Sequence, residues 1–331
     1  EALGYSLVAI CWGVGNVIGG TAGGFLARPA VNLPSLFQGT VFATYPYLLP
    51  CVASSMFAFV GLVFTLVFLP DLRDVARLGA VVQPPGVAPA PSPYAYVASA
   101  RRCWFILGIF FCISFLDYGL FEVYPLWAIS TIDVGGLNWG TAQVGLTQMC
   151  GGGFLLVGNL VLMPRLLKGR SPLALHRVGM VAMCVPGFCL FPLVSWCCAG
   201  TLWVYAALLP ILFLRIAGPG VIFTLTFKFI NDMARDPRVR GGVTGVGQQV
   251  GCLARIFSPT LSAKLFAWGT ASTLPFPLDH RVVFVAFGAL WGLPLLLNLQ
   301  LTDAEVARRE EVAAGHTTDD EQQPLLSQKK P

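Results

Sequence analysis

Residues 11–30 read CWGVGNVIGGTAGGFLARPA, and six glycines, Gly13, Gly15, Gly19, Gly20, Gly23 and Gly24, sit inside an apolar run of helical character. In a soluble helix each internal glycine costs about 1 kcal/mol relative to alanine. The stretch therefore needs surroundings that favour bare backbone, either a phosphate-binding loop or a close-packed membrane helix. The loop fails, because no Lys-Ser or Lys-Thr follows and both flanks are apolar. In the membrane reading, Gly15, Gly19 and Gly23 recur every four residues along one helix face, with Gly20 and Gly24 beside them. Such a small-residue stripe lets a second helix approach closely.

Composition extends the membrane reading to the whole chain. The 331 residues are 56% hydrophobic and only 11% charged, whereas an average soluble domain is about 25% charged. Apolar runs near the roughly 20 residues that a bilayer crossing takes fall at Leu3–Ala27, Tyr47–Leu69, Trp104–Ser130, Ala142–Pro164, Leu173–Trp196, Leu202–Phe229, Val243–Trp268 and Val282–Leu301. The expected fold class is an all-α polytopic membrane protein, embedded in a lipid bilayer.

Placing both ends in the cytosol leaves Arg28 and Arg281 on the opposite side and Arg215, Arg255 and Lys264 inside spans. All the remaining Lys and Arg, of 21 in total, then face the cytosol, a strong positive-inside bias. The net charge of +5 thus reflects topology, and no nucleic-acid partner is expected. The ten cysteines form no CxxC pair and read as small packing residues. With only His176, His280 and His316 as imidazoles and no HExxH cluster, neither an enzyme nor a bound metal or cofactor is expected.

Between the second and third runs, DLRDVARLGAVVQPPGVAPAPSPYAYVASARR reads as a Pro-rich cytosolic linker. It divides the chain into residues 1–70 with two spans, the linker at 71–103, a six-span half at 104–301, and a polar, disordered cytosolic tail at 302–331. Many transporters are built from six-helix halves joined by a long loop. Two spans before the linker and six after it lead to the expectation that four helices are missing from the front.

These residues also carry a family resemblance. Gly15, Gly19, Gly20, Gly23 and Gly24 resemble the antiporter motif of the fifth helix in the major facilitator superfamily, with Gly20 at the position of the motif's proline. WGVGNVIGGTAGGFLARPA with YPYLLPC, FEVYPLWAIS with GGLNW, and RVRGGVTGVGQQVGCLARIFSP resemble the zinc-induced facilitator-like branch. Family members commonly carry an Asp-Glu pair before Pro-Leu-Trp-Ala; here Phe121 takes the first position and Glu122 keeps the second. The resemblance implies the twelve-helix fold, with eight helices present, and export or vacuolar loading of a solute coupled to a proton gradient. A vacuolar or lysosomal membrane is favoured, with the plasma membrane as an alternative.

Ionised groups at the bilayer centre cost about 2.5–3.5 kcal/mol or more, so those that persist face a wet cavity or a partner. Glu122 and Asp117 are the candidate proton-coupling carboxylates, and Asp117 is equally suited to an ion pair with Arg215 or Arg255. Tyr124, Trp127, Arg215, Gln248 and Arg255 form the candidate substrate-binding set. Gly218-Pro219-Gly220, just after Arg215, is expected to break or bend its helix, freeing backbone groups for ligand. In the tail, Glu321, Leu325 and Leu326 resemble the acidic dileucine pattern that adaptor complexes read. The function expected is a proton-coupled secondary transporter, an antiporter for a metal ion, chelate, organic ion or drug. The alternative is a non-transporting receptor or scaffold that keeps the fold.

Overall fold

The computed structural model describes residues 11, 13–15, 17–19, 22–23, 26–69, 92–184, 186–198, 200, 202–234 and 238–302, with the side chains of 141, 142, 167, 184 and 186–190 left out of the description. Every regular element among them is helical. The chain divides into two compact units, Gly15–Ala90 and a larger one formed by Glu1–Val14 with Pro91–Pro331.

In the smaller unit, the described residues between Gly15 and Leu26 are helical. Three four-residue helices follow between the first two apolar runs: α1 (Pro29–Asn32), α2 (Pro34–Phe37) and α3 (Val41–Thr44). A proline opens each of the first two, where its missing N–H is no loss. They lead into α4 (Leu48–Phe68), which has 21 residues and no buried side chain.

The larger unit starts with the short helix α5 (Pro93–Ser99) and the 29-residue α6 (Arg101–Ile129). After a 3-10 turn at Ile132–Val134, α7 (Thr141–Val157) runs through a π-helical stretch at Gly158–Leu162 into α8 (Met163–Leu167). Next come α9 (Pro172–Cys184), α10 (Pro186–Cys198), α11 (Trp203–Met233) and α12 (Arg240–Ala271). The last span is assembled from α13 (Val282–Leu290) and α14 (Gly292–Leu299). Five stretches among the described residues are long and apolar enough to cross a bilayer: Leu48–Phe68, Arg101–Ile129, Gln143–Leu166, Trp203–Met233 and Val282–Leu299. The 32-residue α12 is long enough as well, but its Arg, Gln, Thr and Ser positions make it more polar.

The break expected at Gly218-Pro219-Gly220 does not occur, since α11 continues through Pro210 and Pro219 for 31 residues. Both glycines mark close packing instead. A Cβ on Gly218 would lie 2.8 Å from Met183 Sδ, and one on Gly220 would lie 3.0 Å from Asn159 Nδ2. Neighbouring helices thus pack closely on the backbone where its own ladder is weakest, and the helix stays unbroken.

α6 and α12 pack against each other through small residues. A Cβ on Gly119 would collide with the hydroxyls of Ser258 and Ser262, and one on Gly251 would meet the Phe110 ring. Ser258 Oγ donates to the Phe115 carbonyl, fastening the two helices at that level. An aromatic cluster of Tyr124, Trp127, Phe191 and Phe284 fills the end of the unit where α6 stops. The cysteines correct the packing reading in part. Cys103 is buried, whereas Cys11, Cys51, Cys197 and Cys252 are exposed.

Candidate functional site

α6 carries Asp117, Glu122, Tyr124 and Trp127 within about three turns, and α11 and α12 bring basic residues to the first of them. Arg215 is 7% exposed. Its Nη1 donates to Asp117 Oδ1 at 2.6 Å and its Nη2 to the Asp117 carbonyl at 2.9 Å. One guanidinium therefore holds both the side chain and the backbone of Asp117, which locks the rotamer of each partner and neutralises both charges.

Arg255 takes a different partner. Its guanidinium carbon lies 4.8 Å from the centroid of the Tyr118 ring, and its Nε is buried with no hydrogen-bond partner among the described residues. The electron-rich ring face stabilises this cation where a carboxylate does not. Asp117 and Arg255 both lie within electrostatic reach of the Tyr118 hydroxyl. The structure thus joins Asp117, Arg215 and Arg255 into one charged layer across α6, α11 and α12, with Tyr118 as the bridge.

Glu122 sits one turn beyond Tyr118 and is exposed, with no ion pair or hydrogen bond among the described residues. Gln248 is half-buried on α12, and Lys264 on the same helix is exposed. Tyr124 and Trp127 stand apart from the charged layer. The Tyr124 hydroxyl donates to Thr147 Oγ1 at 2.7 Å, and the Trp127 indole donates to the Gly135 carbonyl at 2.9 Å. Both side chains are buried in the aromatic cluster with their polar atoms engaged by protein. Gly15, Gly19 and Gly23 are helical, whereas Gly20, Gly24 and the tail residues Glu321, Leu325 and Leu326 lie outside the described residues.

A second polar group was not anticipated from the sequence. Arg177 Nε donates to Asn298 Oδ1 at 2.9 Å, Asn298 Nδ2 meets His176 Nδ1 at 2.8 Å, and His176 Nε2 meets Thr226 Oγ1 at 2.9 Å. Thr226 Oγ1 in turn donates to the Ile222 carbonyl at 2.8 Å. His176, Thr226 and Asn298 are fully buried. The available signal was a His and an Asn inside apolar runs, each of which needs a partner when buried. Among the described residues no three His, Cys, Asp or Glu side chains gather into a group that could hold a metal.

Helices of membrane-spanning length, with charges gathered between them, define an all-α polytopic membrane protein. No family model matches the chain. It is 28% identical over 324 residues to the protein ZINC INDUCED FACILITATOR-LIKE 1 of Arabidopsis thaliana, covering 91% of this chain and 64% of that protein. Against a probable peptide/nitrate transporter of the same plant it is 26% identical, covering 86% of the chain and 62% of the relative. It is likewise 26% identical to the plant's protein ZINC INDUCED FACILITATOR 1, with the same coverage of 86% and 62%. The chain is therefore a relative of the zinc-induced facilitator-like branch of the major facilitator superfamily, and it spans somewhat under two thirds of the length of these curated relatives.

Proposed function

We propose that the chain forms the greater part of a proton-coupled secondary transporter, an antiporter that exchanges a small solute for protons. The observation that carries the reading is the charged layer on α6, α11 and α12. Asp117 and Arg215 neutralise each other at 2.6 Å, while Arg255 and Glu122 have no partner of opposite charge among the described residues. An unpaired carboxylate in a membrane span is most easily neutralised by a proton. That proton is what couples an antiporter to a pH gradient, because the charged and neutral forms of the carboxylate favour different states of the alternating-access cycle.

In this reading Glu122 carries the coupling proton, and Asp117 stands next to it as the second candidate. Arg255 and Gln248 on α12 contact the solute, and Arg215 keeps Asp117 in register. Tyr124 and Trp127 form the rigid end of α6 that holds Glu122 in place. No bond is made or broken in the solute, so the protein acts without enzymatic chemistry. The Pro-rich linker and the tail face the cytosol, and the Glu321, Leu325 and Leu326 pattern directs the protein through an adaptor complex to a vacuolar or lysosomal membrane. The solute falls among metal ions, their chelates, organic ions and drug-like molecules.

The direct experiment is solute flux in proteoliposomes under an imposed pH gradient, with radiolabelled zinc and rubidium as first probes and an internal pH dye as the second readout. Uptake that collapses with the gradient, accompanied by proton movement the other way, supports the antiporter. Solute binding without flux at any gradient contradicts it and favours a receptor.

A further inference from the structure

The short helix α5 lies at the end of the Pro-rich linker and is joined to α6 through the single extended residue Ala100. It is tied to two other helices. Pro93 sits on Gly242 in the first turn of α12, so closely that a Cβ on Gly242 would run into the proline ring. The Tyr94 hydroxyl donates to Gln249 Oε1 at 3.0 Å, two turns further along α12. Tyr96 takes the other helix, its hydroxyl donating at 3.0 Å to the carbonyl of Met233, the last residue of α11. Arg102, in the first turn of α6, donates Nη2 to the same carbonyl at 2.8 Å. One short helix thus holds α12 through Pro93 and Tyr94 and α11 through Tyr96.

We propose that α5 is a strap across the cytosolic ends of α11 and α12, which must lift before the charged layer opens on that side. The side it faces rests on the topology proposed above. α11 and α12 carry Arg215 and Arg255, and they meet closely near the strap, where a Cβ on Gly247 would stand 2.9 Å from Ile230 Cγ2. A path from this end toward Gln248 and Arg255 forms when α12 moves off α11. That movement draws the partners of Tyr94 and Tyr96 apart, so the bond to Gln249 or the bond to Met233 must break.

Release leaves little behind that is unsatisfied. Val97 is the one buried side chain of α5, so a small apolar area is exposed when the helix lifts. Gln249 is itself exposed, and water takes the place of Tyr94 there. The Met233 carbonyl keeps its bond from Arg102 when Tyr96 leaves, so the end of α11 stays capped. Ala100 is the pivot, and Trp104 Nε1 holds the Ala98 carbonyl at 3.3 Å, which keeps that end of α5 with α6 while the Pro93 end swings.

Gly242→Leu tests the strap, because its side chain takes the place of Pro93 while suiting a helix better than glycine does. In hydrogen exchange on the full chain in nanodiscs, protection of residues 94–99 should fall by about tenfold or more in this variant. Opening is read at Ile230, which is 1% exposed and packed on Gly247. As the sole cysteine, Ile230→Cys should react with an impermeant maleimide from the cytosolic side about tenfold faster when Gly242→Leu is added. Tyr94→Phe with Tyr96→Phe, which removes both hydroxyls and keeps the rings, should move both readouts the same way. Unchanged protection of residues 94–99 in both variants overturns the strap, and so does an unchanged labelling rate once that protection is lost. Neither readout needs transport, so a chain that moves no solute under any gradient contradicts the antiporter while these two measurements still decide the strap.

Discussion

At Asp117 the cost of burying a carboxylate is offset by the Arg215 guanidinium, which donates once to Oδ1 and once to the backbone carbonyl of the same residue. Removing one partner leaves the other charged in an apolar layer, which typically costs 3–5 kcal/mol or about that much in stability. Asp117→Ala should therefore lower the unfolding midpoint in detergent sharply, while Asp117→Ala with Arg215→Met should recover much of the loss; equal loss in both variants would show that the stranded arginine is not what costs the stability. The sequence made this pair readable as one of two choices, because two arginines and few carboxylates lay inside spans. Periodicity could not choose between Arg215 and Arg255, since it does not say that the Tyr118 ring already serves Arg255. Tyr124 and Trp127 were attractive as ligand contacts for their amphipathic side chains. Each places its polar atom on a protein partner instead, and that partner depends on how the chain folds back over Thr147 and Gly135.

Among the elements, the helices were legible and their inner packing was not. Apolar run length placed α4, α6 and α11 within a few residues, but Gly218-Pro219-Gly220 misled. The local rule for proline and glycine was outweighed by neighbours packed tightly enough to keep the helix whole. Gly158 opens the π-helical stretch, and a Cβ there would stand 2.9 Å from Ala217 Cβ and 3.1 Å from Ala217 Cα. Because a backbone atom cannot swing aside, Gly158→Ala should destabilise the protein by about 1–3 kcal/mol, measurable as a lower unfolding midpoint; an unchanged midpoint would mean that α7 and α11 separate freely. The His176, Asn298 and Arg177 network ties α9 to α11 and α14. Asn298→Ala strands the buried His176 Nδ1 at about 1–3 kcal/mol and frees the half-buried Arg177 Nε, so the last span should become the first to open in native-state proteolysis.

For the molecule as a whole, charge asymmetry sets a topology that labelling can check. Ser92, at the start of α5, and Thr273, after α12, are both exposed. On a cysteine-free background, Ser92→Cys should react with impermeant maleimide from the cytosolic side and Thr273→Cys from the other. The division of labour within the charged layer remains the point on which the transporter reading rests. Glu122 has no neighbouring cation at helical spacing on α6 and no partner among the described residues, which leaves a proton or the solute to neutralise it. The decisive measurement is net flux against equal-pH exchange for Glu122→Gln in proteoliposomes. Glutamine mimics the protonated acid, so flux driven by a pH gradient should vanish while exchange at equal pH survives, because exchange needs alternating access without net proton movement. Net flux that keeps its wild-type pH dependence in Glu122→Gln would contradict the assignment and move the proton site to Asp117 or elsewhere.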